Sequence, residues 1–311
     1  MVSLARAVGA LFLFFAVPAQ AAFEPAIHSA RAAALSGAMT AVLDDPISIH
    51  YNPGALGTID RTAVSVNYLR QFRAPAGAVD QDVYGGVAAL PIKQEIINGT
   101  FGLGMAHNRQ KAIGLERTFS FGYGTRGFWQ KDDQRLELGG AFKLLKKNLD
   151  QGGWTPLRAT LDMGLLFRWA ERYAAGFSLL NFNRPSASTG RGADRVPVEA
   201  RAGISETARG FTMSLDLAKR ESSANRKDSG EIAAGFERWW ATARGGSYAA
   251  RTGMSVGERD KTWSWGMGWR MFGGQVDYAM TVPMTGATKI GHAVSVALRF
   301  GQSNPEAEYE K

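Results

Sequence analysis

The sequence predicts an all-β protein, a transmembrane antiparallel β-barrel of about 14 strands. Three observations predict it. The chain begins with an export leader. No stretch after that leader is long and apolar enough to cross a bilayer as a helix. From Arg61 onward the hydrophobic period is two, in segments of about ten residues, the length that crosses a membrane at a strand tilt of about 45°.

The leader comes first. Arg6 gives a positive start, Ala7 to Val17 is an uncharged apolar run, and Pro18 breaks it. Ala19-Gln20-Ala21 then places small residues at both recognition positions of a signal-peptidase site, so residues 1–21 read as a signal peptide. The run is too short to span about 30 Å of hydrocarbon, and no Cys follows it to carry a lipid. Cys is absent altogether, so export gives this fold no disulfide. With 37 Gly, 17 Phe and 8 Trp, the composition suits many strands and tight turns. The net charge of +8 is dispersed along the chain. In an exported chain it points away from nucleic acid; outer-membrane lipids and lipopolysaccharide phosphates are apter partners, and a charge excess of no consequence ranks ahead of both.

The alternation is clearest at Trp263, Trp265, Met267, Trp269 and Met271, interleaved with Thr262, Ser264, Gly266, Gly268 and Arg270. Ala159 to Trp169, Phe211 to Leu217 and Val276 to Val282 repeat it. One face is apolar. The other holds Gly, Ala, Ser and isolated charges, which suits a crowded lumen better than open solvent. A lipid-facing charge at the midplane costs about 2–4 kcal/mol, and the exceptions Arg70, Arg117 and Arg238 lie near segment ends. The order of segments is Arg61–Phe72, Asp82–Ile92, Thr100–Asn108, Gly114–Arg126, Arg135–Lys147, Thr155–Trp169 and Arg172–Phe182. Then come Val196–Thr207, Gly210–Lys219, Gly230–Trp239, Gly246–Val256, Lys261–Met271, Gly274–Pro283 and Thr288–Phe300. Two points stand out: Asp82–Ile92 has a poorly defined face, and the link Gly127–Gln134 is long for an inner turn. The barrel is expected over 61–300, with a short polar periplasmic tail at 301–311.

Residues 22–60 are of another kind. Ser29 to Leu43 is rich in small residues and begins with helical character. Asp44-Asp45-Pro46 follows, then Ile47 to Tyr51, then Asn52-Pro53-Gly54-Ala55-Leu56. This segment resembles the N-terminal region of the fatty-acid transporter (FadL-like) superfamily of outer-membrane barrels, and more closely its PorV/PorQ branch. Gly54 stands where that family usually has Ala. The last strand, with Gly291 and alternating Val294 and Val296, is similar to the signal read by the barrel-assembly machinery. The resemblance implies a bacterial outer-membrane location and an N-terminal segment that plugs the lumen. It marks Arg31, Asp44, Asp45, Pro46, Tyr51, Asn52, Pro53 and Gly54 as the plug motif. Small side chains let backbone pack inside a narrow cylinder, and Asp44 and Asp45 can accept hydrogen bonds from lumen arginines. Asn52-Pro53 fixes a turn before the chain enters the wall.

The inward faces carry cations and carboxylates in near balance. Arg158, Asp162, Arg168, Arg201, Asp216, Arg270, Asp277 and Arg299 are candidates for lumen ion pairs, a structural network rather than a selectivity filter. Enzyme chemistry finds no footing. The four His show no metal-ligand spacing, and His107 and His292 fall on outward, interfacial positions. Neither a metal nor another cofactor is expected. What the resemblance implies is passive passage of hydrophobic small molecules. Its PorV branch implies instead a secretion-linked barrel that binds exported proteins, and a structural barrel without cargo is the third reading.

Overall fold

The structure is a computed structural model describing residues 23, 26–73, 79–111, 113–150, 152–186, 195–221, 228–243, 245–258, 261–284 and 289–301. The leader and the tail beyond Gly301 lie outside the described residues. A short helix α1 (Ala30–Ala34) and two 3-10 turns, Pro46–His50 and Pro53–Thr58, precede fifteen strands. These are β1 (Thr62–Arg73), β2 (Val79–Lys93), β3 (Asn98–Gln110), β4 (Gly114–Thr125), β5 (Trp129–Lys131), β6 (Gln134–Leu149), β7 (Arg158–Trp169) and β8 (Tyr173–Leu180). They continue with β9 (Glu199–Ala208), β10 (Phe211–Arg220), β11 (Ser229–Ala241), β12 (Ser247–Gly257), β13 (Lys261–Met271), β14 (Gly274–Pro283) and β15 (Gly291–Phe300).

Each strand pairs antiparallel with its chain neighbour, β1 pairs with β15, and β4 pairs with β6 across the gap left by β5. Fourteen strands therefore close into a barrel with no free edge, the arrangement that satisfies every wall amide without water. The extra strand β5 pairs only with the start of β6. It occupies the long link Gly127–Gln134, whose length reflects this small hairpin at the rim.

The polarity of the wall follows the alternation. Met213, Leu215 and Leu217 point out and are about half exposed, while Thr212, Ser214 and Asp216 point in and are buried. Val66, Phe177, Ile204, Ile232, Met267 and Val296 extend this outward apolar surface round the cylinder. Such a continuous belt is stable only against hydrocarbon. The chain is thus a transmembrane barrel of the outer-membrane kind. Phe167, Trp169 and Tyr173 stack in series, as do Trp240 and Tyr248, where interfacial aromatic girdles lie.

Several strand ends differ from the sequence expectation for identifiable reasons. β7 starts at Arg158 rather than Thr155, since Pro156 cannot donate to a ladder. β8 stops at Leu180 because Asn181 turns left-handed at φ +57°. Beyond it Asn183 takes over the strand's role: its Oδ1 accepts from Leu161 N at 3.0 Å and its Nδ2 donates to Ala159 O at 3.1 Å. The face of β2 is ill-defined in sequence because its inward residues are apolar too. Val83, Val87 and Ala89 are buried against the N-terminal segment, not left polar for a lumen.

Candidate functional site: the filled lumen

The N-terminal segment lies inside the barrel. Ser29 caps α1 by accepting from Ala32 N at 3.1 Å. Ala30 N then donates to Ser295 Oγ at 2.8 Å, tying the helix to β15. An alanine helix suits this position, because Ala33 and Ala34 lie flat against Ala279 and Ala293. Farther along, Leu35, Met39, Val42, Ile47, Ile49 and Leu56 are all essentially inaccessible and form one cluster. Ordinary burial of such side chains stabilises by about 1.5–3 kcal/mol each.

The wall makes room with glycine. Gly124, Gly139 and Gly164 stand directly opposite one another on β4, β6 and β7. A Cβ on Gly139 would run into the Pro53 carbonyl and come within 2.6 Å of Gly54 N. One on Gly124 would meet Gly57 N at 2.6 Å, and one on Gly164 would lie 2.8 Å from Gly54 N. The floor continues through Gly235 and Gly253, opposite each other under Leu35. Small side chains are thus distributed on both partners, segment and wall. At Gly54 itself an alanine Cβ would come to 3.0 Å from the Gly164 backbone and 3.1 Å from Asn52 Oδ1. This crowding accounts for glycine at a position where the resembled family usually has alanine.

The motif residues each hold a definite contact. Arg31 donates to Asp45 Oδ2 at 3.0 Å and, through two nitrogens, to Glu237 on β11 at 2.7 and 3.0 Å. Asp44, left-handed at φ +51°, accepts from Arg299 on β15 through both its side chain and its carbonyl. Asp45 caps the first 3-10 turn by accepting from Ile47 N at 3.0 Å, and Pro46 fills its first position. Asn52 caps the second turn, with Pro53 behind it, and its Nδ2 donates to Thr40 O at 2.8 Å and Leu165 O at 3.0 Å. Tyr51 offers its ring to the Arg201 guanidinium at 5.3 Å, and its hydroxyl accepts from His28 N at 3.3 Å.

Two carboxylate–guanidinium hubs join this segment to the wall. In one, Asp216 accepts from Met39 N, Thr40 N and Thr40 Oγ1 at 2.6–3.0 Å, and from Arg201 at 3.1 Å. Arg201 also pairs with Glu199 at 2.6 Å. In the other, Glu237 takes Arg31 and Arg251 together, and Arg251 extends to Asp277 at 2.8 Å. Arg168 pairs with Glu137 on the neighbouring strand. Arg270 bonds Gln275 Oε1 at 3.0 Å and stacks 4.5 Å from the Trp239 ring. Arg158 differs from the expectation: among the described residues it makes no ion pair, and its Nε is buried without a partner. The reason is that Asp162, on the same face, is taken by Lys143 at 2.8 Å and by Asn181 N at 2.7 Å.

Some residues that matter are not singled out by sequence. Toward the outer end, Gln81, Asn108, Glu116 and Lys147 form a buried chain, and Glu116 accepts from Phe23 N at 2.9 Å. Alternation does place Glu116 and Lys147 inward, but both sit at segment ends where the face is easily lost. His28 and His50 stack at 4.3 Å between ring centroids, although 22 residues apart in sequence. Burial and then the Lys143 cation hold His28 down at about 4, with Glu199 opposing; burial, His28 and Lys143 hold His50 well below its usual range. Both rings are therefore neutral at pH 7. With folded pKa values below the unfolded 6.5, the released segment binds more protons as pH falls, so stability drops between about pH 6.5 and 4. The unfolding free energy should be lower at pH 5 than at pH 7, by about 2 kcal/mol for each ring held neutral over that range. A His28→Gln, His50→Gln variant should lose that slope, and an unchanged slope would refute the assignment.

No protein-family model and no curated protein matches the chain. Solved structures do. The CymD monoaromatic hydrocarbon channel superimposes with a TM-score of 0.65 at 11% identity, covering 90% of this chain and 100% of that one. The Ralstonia pickettii toluene transporter TbuX gives 0.63 at 12% identity, with 90% and 100% covered. A Pseudomonas aeruginosa FadL homologue gives 0.57 at 11% identity, with 88% and 98% covered. The chain shares the fold of FadL-type outer-membrane barrels over nearly its whole length. Its likeness to the PorV/PorQ branch gains no support from these structures.

Proposed function

We propose that this barrel passes small hydrophobic molecules across the outer membrane, with the segment 22–60 acting as the plug that keeps water and ions out. The observation that carries the reading is how the lumen is filled. Its ion pairs are internally matched and its centre is packed with Leu, Met, Ile and Val side chains on a glycine floor. A diffusion pore for hydrophilic solutes needs an open aqueous path with unmatched charge at its constriction. In the outer half, Phe23 packs with Leu145 and Val196, an apolar patch of the size that one aromatic ring fills. A small hydrocarbon would compete with Phe23 for that patch. That two fold neighbours are a monoaromatic hydrocarbon channel and a toluene transporter agrees with this choice of cargo.

The test is uptake. Cells of an outer-membrane host lacking hydrocarbon channels, made to express the full chain, should take up labelled toluene faster than vector controls. Uptake of a hydrophilic sugar should not change. Equal acceleration of both, or of neither, would overturn the reading.

A further inference from the structure

Outside the lumen, one part of the lipid-facing wall departs from the apolar rule. Arg117 on β4 stands directly opposite Lys146 on β6, and His107 on β3 stands directly opposite Arg117. All three have the parity of outward residues, alternating with Ala106, Glu116 and Lys147, which face in. Cross-strand neighbours of like charge repel. Among the described residues neither Arg117 nor Lys146 has a carboxylate within ion-pairing distance. Asp150, the acid of this corner, is taken by Arg109 at 3.0 Å, and Glu116 points into the lumen, where it takes Lys147. His107 Nε2 is enclosed without a hydrogen-bond partner.

The position is as telling as the charge. Arg117 lies near the start of β4 and Lys146 near the end of β6, both at the end of the barrel opposite the short turns after β7, β9 and β13. Short turns mark the periplasmic side, so these cations lie at the outer leaflet. Trp154, largely exposed, lies 5.8 Å from Lys146 Nζ, and Tyr84 lies 4.9 Å from His107. Amphipathic rings of this kind mark the headgroup level. A fork of guanidinium donors beside a mobile ammonium is suited to a phosphate oxygen cluster.

We propose that Arg117 and Lys146 form a binding site for a phosphate of lipid A, the phosphorylated glycolipid of the outer leaflet, with His107 packed beside them. The acyl chains would lie along Leu103, Met105, Phe119 and Phe142, which continue the same outward faces toward the midplane. The proposal is independent of the cargo reading, since it uses only the outer surface of the wall.

Native mass spectrometry of the full barrel in mild detergent tests it. The wild type, incubated with bis-phosphorylated lipid A, should retain it at least tenfold more than an Arg117→Glu, Lys146→Glu variant. Dephosphorylated lipid A should be retained poorly by both. A control variant, Lys219→Glu with Lys261→Glu, removes the same charge elsewhere at the outer end and should bind as the wild type does. Heat-modifiable gel migration checks that each variant is folded; if the double Glu variant is not, Arg117→Gln with Lys146→Gln takes its place. Equal retention by wild type and site variant would overturn the proposal. So would equal loss in the control variant, or retention of phosphatidylglycerol in preference to lipid A.

Discussion

Glu237→Gln is expected to destabilise the folded barrel by about 3–5 kcal/mol, the usual result of removing one partner from a buried charge cluster. Glu237 is 1% exposed at its side chain and neutralises two guanidinium groups, one from the luminal helix and one from β12. The amide that replaces it can accept hydrogen bonds but carries no charge. Arg251 keeps Asp277 and Arg31 keeps Asp45, so the loss falls short of two unpaired cations. Equilibrium denaturation in micelles measures the effect. Adding Arg31→Met should recover part of the loss, because one of the stranded cations is then gone. A single-variant loss below about 1 kcal/mol would show that the cluster is wetter or looser than its geometry.

Gly139→Val is expected to unseat the N-terminal segment while leaving the wall intact. Valine suits a strand, so β6 itself has no reason to fail. Its side chain, however, would enter space held by the Pro53 carbonyl and Gly54 nitrogen. Both are backbone atoms of a capped turn and cannot rotate away, so overpacking should approach or exceed the usual 1–3 kcal/mol. Amide exchange should speed up by tenfold or more across 46–58 and remain slow in β10–β14. Planar-bilayer recordings should show a new ion conductance if the segment is what keeps the path shut. Exchange unchanged over 46–58 would show that the glycine row is incidental.

These expectations rest on a fold that is largely written in the alternation of polarity. Lys261–Met271 and Gly274–Pro283 keep their sequence-read bounds to the residue, because their two faces differ so sharply in chemistry. Where the inward side is also apolar, as at Val83, Val87 and Ala89, the pattern blurs. The cause lies in another part of the chain, the segment that packs there. The candidate site was legible as a set of residue types but not as a set of pairs. That Arg31 meets Glu237 depends on register accumulated over a separation of 206 positions. Arg158 carries the same lesson, since a cation and a carboxylate four residues apart on one face need not pair, and Asp162 answers to Lys143 instead. The His28–His50 stack required the turn capped by Asp45, which brings His50 back beneath the helix entrance.

The contacts of the N-terminal segment have a bearing on assembly. Ala30 and Asp44, which leave the ribosome early, find their partners at Ser295 and Arg299, in the strand that leaves it last. Those two residues sit on β15, which forms the seam with β1. Contacts separated by 265 and 255 positions give high contact order and slow formation. The segment therefore cannot lock before the cylinder shuts. Once locked, it braces the seam from within, so a piece of the chain that appears before any strand of the wall is the last to settle and opposes reopening where the two terminal strands meet.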